Sequence, residues 1–226
     1  MTKDMRTAKI LGGLLISAIV FGILNTVPAL EYPDYLAKLS TIRTQVLVAV
    51  FFQAAMATVY VCIAVLFYQI LKKHGDGLAI AYFGFRIIGA AFLYVGIGSL
   101  LLLLWLSGSF VAAGQPDSSY YQTLGELLRK GRDLMNHVGM ILPWITGGLI
   151  LCYCLFKNRL VPRWLSAWGI AASALTVLAT VMLMLDFIEM ATPTYFIMNT
   201  PTALFELSLA VYLFVKGYNT AVPEQK

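Results

Sequence analysis

The chain has 226 residues, 60% of them hydrophobic and only 12% charged, with a formal net charge of +5 and a mean hydropathy of +0.80. A water-soluble domain carries about 25% charged residues, so this composition excludes a soluble protein and points to a lipid bilayer as the surroundings. The cations flank apolar runs, which fits orientation in a bilayer and gives no reason to expect nucleic acid as a partner.

A membrane helix needs about 20 largely apolar residues. Six stretches meet this, at about 9–30, 43–71, 78–107, 134–156, 163–187 and 198–216. The fold class is therefore all-α integral membrane, a six-transmembrane-helix bundle, with 1–226 as one transmembrane domain. The first run follows Lys3, Arg6 and Lys9 and resembles a signal peptide. It is long, and no A-x-A site follows, so it is expected to stay as a helix. "KKHGDG" (72–77) is short enough to make spans 2 and 3 an antiparallel hairpin. After span 3, "GQPDSSYYQTLGELLRKGRD" (114–133) begins as a turn and becomes amphipathic. Tyr120, Leu124, Leu127 and Leu128 share one face, and Glu126 with Lys130 forms an i,i+4 pair on the other. A short amphipathic helix on the membrane surface is expected there. Pro143 is expected to kink span 4. "KNRLVPR" (157–163) makes a second tight turn, with Pro162 in the first turn of span 5 and Trp164 and Trp168 as headgroup anchors.

Orientation follows from the lysines and arginines. Lys3, Arg6, Lys9, Lys72, Lys73, Lys157, Arg159, Arg163, Lys216 and Lys226 fall on one side; Lys38, Arg43, Arg129, Lys130 and Arg132 fall on the other. The richer side is expected to be cytoplasmic, which puts both termini inside. Acids such as Glu31, Asp34, Asp117 and Glu189 then face out. Cys62, Cys152 and Cys154 all lie in apolar runs and read as small buried hydrophobes, with no disulfide framework.

Arg86 stands in the middle of span 3, about 13 Å from the inner end at 1.5 Å per residue. An unpaired arginine at that depth costs about 2.5–3.5 kcal/mol, so a partner is expected. Glu206 is the one acid deep in another span, about 15 Å from the same side. A buried Arg86–Glu206 ion pair is the main site expectation. It serves either to fix the register of spans 3 and 6, or as an ion or proton relay or an anchor for an anionic ligand. Gly12, Gly13, Gly84, Gly89, Gly96, Gly147 and Gly148 suit close helix approach.

The outer halves carry more polar side chains than packing needs. Asn25, Gln53, Asp133, Asn136, His137, Asp186 and Asn199 all fall at one end of the bundle. They read as an outward-facing polar cavity or as an ordinary interfacial layer. No H-E-x-x-H, Walker loop or G-x-S-x-G is present, and two histidines, one in a turn, give no haem site. No metal or cofactor is expected. The leading functional expectation is binding or translocation of a small molecule, lipid or ion, with a small hydrophobic or ionic ligand as partner. The alternatives are a membrane enzyme acting on a lipid or isoprenoid with His137 and Asp133 as acid and base, and a non-catalytic partner subunit.

"EYPDYLAKLS" (31–40), "GFRII" (84–88), "RLVPRWLSAWG" (159–169) and "ALFELSLAVYLFVKG" (203–217) together resemble a bacterial membrane family known as domain of unknown function 4386. The resemblance covers nearly the whole chain. It implies several spans in a bacterial cytoplasmic (inner) membrane, and no reaction. In that family's pattern an acid often stands where this chain has Gly89, so the departure leaves Glu206 as the partner for Arg86.

Overall fold

The computed structural model describes residues 3–116, 120–190 and 192–219; Asp117 and Lys226, used above for orientation, lie outside them. Among the described residues all regular structure is helical. A chain in hydrocarbon must satisfy its backbone groups internally, so each apolar run closes into a helix. The helices are α1 (Lys3–Leu24), α2 (Tyr35–Lys38), α3 (Arg43–Leu71), α4 (Asp76–Ala112), α5 (Tyr120–Leu134), α6 (Ile141–Lys157), α7 (Arg163–Met184) and α8 (Pro193–Lys216). Among the described residues six helical stretches are long and apolar enough to cross a membrane.

The spans form a closed ring in chain order. α1 packs on α3, α3 on α4, α4 on α6, α6 on α7, α7 on α8, and α8 returns to α1. Small residues set the closest approaches. A Cβ on Gly12 would stand 2.6 Å from the Ala210 carbonyl oxygen, so α1 and α8 touch through their backbones. A Cβ on Gly89 would stand 3.1 Å from the Met140 carbonyl oxygen, where α4 meets the start of α6. Gly13 and Gly84 meet nothing within 4 Å, so not every glycine in the runs serves packing.

At the end of the ring where α1 begins and α8 ends, Tyr218 donates to Asp4 at 3.1 Å and Lys73 approaches the same carboxylate at 3.7 Å. At the other end the helices overshoot. α4 has 37 residues, about 55 Å, well beyond a hydrocarbon core of about 30 Å. Residues Tyr120–Lys157 form one 38-residue helical stretch, running from α5 through a π turn (Met135–Gly139) into α6. The segment after span 3 thus runs on into span 4 and packs along α4. Tyr121, Gly125 and Leu128 turn inward, while Tyr120, Leu124 and Leu127 are exposed. Gly125 leads that face because Tyr35 and Leu36 of α2 press against it. Glu126 bonds Arg129 at 2.8 Å, with Lys130 at 3.8 Å.

The connection between α1 and α3 folds onto this extension. Leu30, Tyr35, Leu36 and Leu39 are buried with Leu103, Leu106 and Phe110 of α4. The fully buried Ser107 fastens it: its hydroxyl accepts from the Ser40 N–H at 2.8 Å and donates to the Leu36 carbonyl at 2.6 Å.

Pro143 lies in the first turn of α6, and the π turn ends at Gly139, the residue four before it. Pro162 is the N-cap of α7, one residue before the first helical position. Trp164 is exposed, and Trp168 is partly buried and packs against Phe205, 6.3 Å between ring centroids. Cys62 is exposed on the outside of the ring, contrary to its expected burial; Cys152 and Cys154 are buried.

Candidate functional site

The interior of the ring holds a small cavity to which every span contributes. Leu15 comes from α1, Tyr60 from α3, Arg86 from α4, Trp144 from α6, Ser173 from α7 and Glu206 from α8. About 20 Å³ of it is open to the centre of a water molecule. One water needs about 10–15 Å³ on that measure, so the cavity takes a water or a similarly small group.

Arg86 reaches the cavity because α6 is shaved to admit it. A Cβ on Gly147 would meet the Arg86 side chain at 3.2 Å, and one on Gly148 would stand 3.6 Å from its Nη2. One turn before Gly148, Trp144 presents its ring to the guanidinium, 4.4 Å from the ring centroid; Tyr82 lies below at 5.5 Å. Such contacts are worth about 2 kcal/mol or more when water is excluded. Arg86 is 7% exposed, and its Nε has no hydrogen-bond partner. The Trp144 indole N–H and the Tyr82 hydroxyl are likewise buried without one among the described residues.

Glu206 faces the same cavity from α8 and is partly buried. The two groups matched by depth therefore meet on one cavity, but among the described residues they form no direct salt bridge. The guanidinium is stabilised by aromatic faces, and a gap separates it from the carboxylate.

The outer polar residues lie farther along the bundle. From Gln53 to Tyr60 on α3, and from Asn136 to Trp144, is about 10–12 Å. Gln53 is 1% exposed and donates to the Leu93 carbonyl at 2.9 Å and to Asn136 Oδ1 at 3.1 Å. Asn136 sits in the π turn against Gly96, where any Cβ would collide with it. Single π turns often occur where a helix is shaped for a site. His137 Nδ1 pairs with the Tyr195 hydroxyl at 2.8 Å. Between this layer and the cavity lies an apolar plug of Met56, Ala57, Leu93, Met140, Trp144 and Ile145.

The other candidates do not join that group. Asp133 pairs with its neighbour Arg132 at 3.0 Å, and Asn199 bonds back to the Tyr195 carbonyl of its own helix at 2.8 Å. Asn25 donates to the Met56 sulfur at 3.7 Å. Asp186 is exposed in the turn after α7, with φ of 57°. Among the described residues no three of His, Cys, Asp and Glu converge as metal ligands. The residues missed from sequence are Trp144, Tyr60 and Ser173. The available signal was Trp144 one turn before Gly148, a ring and a gap on the same helical face.

A family model described as a domain of unknown function, DUF4386, matches residues 10–217, and the chain belongs to that family. No curated protein and no solved structure matches it.

Proposed function

We propose that this multi-pass membrane protein binds or translocates a small molecule, lipid or ion through the interior of its helical ring, with the Arg86–Glu206 cavity as the working site. One observation carries the reading: a buried cation and a carboxylate face the same interior cavity, lined from all six spans, without bonding to each other. A pair that served packing alone gains most from direct contact, since each ion left short of hydrogen bonds keeps its desolvation cost. The Gln53–Asn136 layer, the π turn and His137–Tyr195 form the polar approach from the far end, and the plug at Trp144 closes it from the cavity.

With it we propose that both termini are cytoplasmic, on the excess of lysine and arginine at that end, in the bacterial inner membrane that the family resemblance implies. Tyr120, Leu124 and Leu127 of α5 then lie at the outer headgroup level, as on an amphipathic surface helix. The His137 and Asp133 pair gains no support as an acid and base for lipid chemistry, because each is engaged by a different neighbour.

The test is thermal unfolding of the detergent-purified protein against a panel of inorganic ions, carboxylates, amines and neutral solutes. At least one class should raise the unfolding temperature of the wild type and leave Arg86→Leu unmoved. A panel in which no class shifts the wild type, together with no solute flux in proteoliposomes, overturns the reading.

A further inference from the structure

We infer that the central cavity takes a small monovalent anion, of the size of chloride or formate, and takes up one proton on Glu206 with it. The inference rests on the reading above that this cavity is the working site, and it names the ligand class. Three features lead there.

The first is the supply of hydrogen-bonding groups. Arg86 Nε and the Trp144 indole N–H are donors only, both buried and both without partners among the described residues. A carboxylate or halide is the group that accepts from such donors, and a guanidinium binds it with charge-assisted bonds. A cationic ligand meets the guanidinium's repulsion, and the aromatic face suited to a cation is already taken by Arg86.

The second is charge balance. Arg86 and Glu206 are the charged side chains on the cavity wall; the rest of the lining is aliphatic, aromatic or neutral polar. Guanidinium does not release its proton in a protein, whereas a carboxylate can accept one. An entering anion would leave the interior with a net negative charge at low dielectric, where charge is costly. One proton from solvent, added to a Glu206 oxygen, returns the sum to zero. The empty state holds Arg⁺ and Glu⁻; the loaded state holds Arg⁺, the anion and a neutral GluH. The groups facing Glu206 that titrate or carry charge are Arg86 and Tyr82 from α4, Tyr60 from α3 and Cys152 from α6. α1 and α7 offer Leu15 and Ser173, which do neither.

The third is size. About 20 Å³ open to water centres admits an anion of one to three heavy atoms, while larger solutes need the plug at Trp144 to move.

The experiment adds sodium chloride or sodium formate to purified protein in weakly buffered detergent solution, with sodium gluconate as the oversized control. Proton uptake is followed by an indicator dye, and binding by the unfolding temperature. The expected result is about one proton taken up per anion bound, with affinity rising up to about tenfold per unit fall in pH. Glu206→Gln should bind anion with no proton uptake and no pH dependence. Arg86→Gln should lose binding. Trp144→Phe, which keeps a ring and removes the N–H, should weaken binding while leaving proton uptake per anion unchanged. Anion binding by the wild type without proton uptake overturns the inference, as does stabilisation by amines or neutral solutes and not by anions. The latter outcome leaves the cavity a ligand site and removes only the ligand class; silence from every class removes both.

Discussion

The guanidinium of Arg86 lies 4.4 Å from the centroid of the Trp144 ring, in a gap that Gly147 and Gly148 leave on α6. A ring, and not a carboxylate, is the arginine's nearest support. Trp144→Leu removes both the face and part of the wall, and should cost about 2–4 kcal/mol of stability. Trp144→Phe keeps a face and should cost clearly less. Unfolding midpoints in detergent decide it, and equal losses for the two variants would show that the ring face does not matter.

Ring closure rests on backbone contact at Gly12. Gly12→Ala drives a methyl to 2.6 Å from the Ala210 carbonyl oxygen and against Phe214, whereas Gly13→Ala enters open space. The first should lower the yield of folded, monodisperse protein, and the second should leave it unchanged. Size-exclusion profiles compare them, and a neutral Gly12→Ala would mean that α1 and α8 do not seal the ring.

Ser107 holds the α1–α3 connection to α4 with one accepted and one donated hydrogen bond. Ser107→Ala strands the Ser40 N–H and the Leu36 carbonyl, a cost of about 1–3 kcal/mol. Hydrogen exchange should accelerate across residues 35–42 and not in α6 or α7. Unchanged exchange at Ser40 contradicts the assignment.

Orientation is open to labelling in a variant whose native cysteines are replaced by alanine. Asp186→Cys, exposed in the turn after α7, should react with an impermeant thiol reagent on intact cells. Asn158→Cys, in the turn before α7, should react only after permeabilisation. The reverse pattern inverts the topology.

The number of spans was legible because each is an apolar run of spanning length, and counting residues along it gives depth. Counting does not give azimuth. Gln53 and Asn136 turn toward each other, but Asn199 turns back on its own helix and Asp186 faces outward, although all four lie at one end. The inward face of α5 was hidden because Gly125 contributes nothing to an apolar stripe and yet marks where α2 presses closest. Trp144 was hidden for the opposite reason: within an apolar run a tryptophan looks like filling, and its role depends on the gap one turn later.

Arg86 and Glu206 share one cavity, and each is the counter-charge the other meets on its wall. The direct measurement is the unfolding free energy of Arg86→Leu, Glu206→Leu and the double variant. Each single change leaves one charge on the cavity without its counter-charge, so each should lower the unfolding free energy. Glu206→Leu should be the worse of the two, because a stranded guanidinium cannot shed its charge while a stranded carboxylate can take up a proton. The account predicts that the double variant regains most of the loss. A double variant as unstable as the sum of the two singles would contradict it.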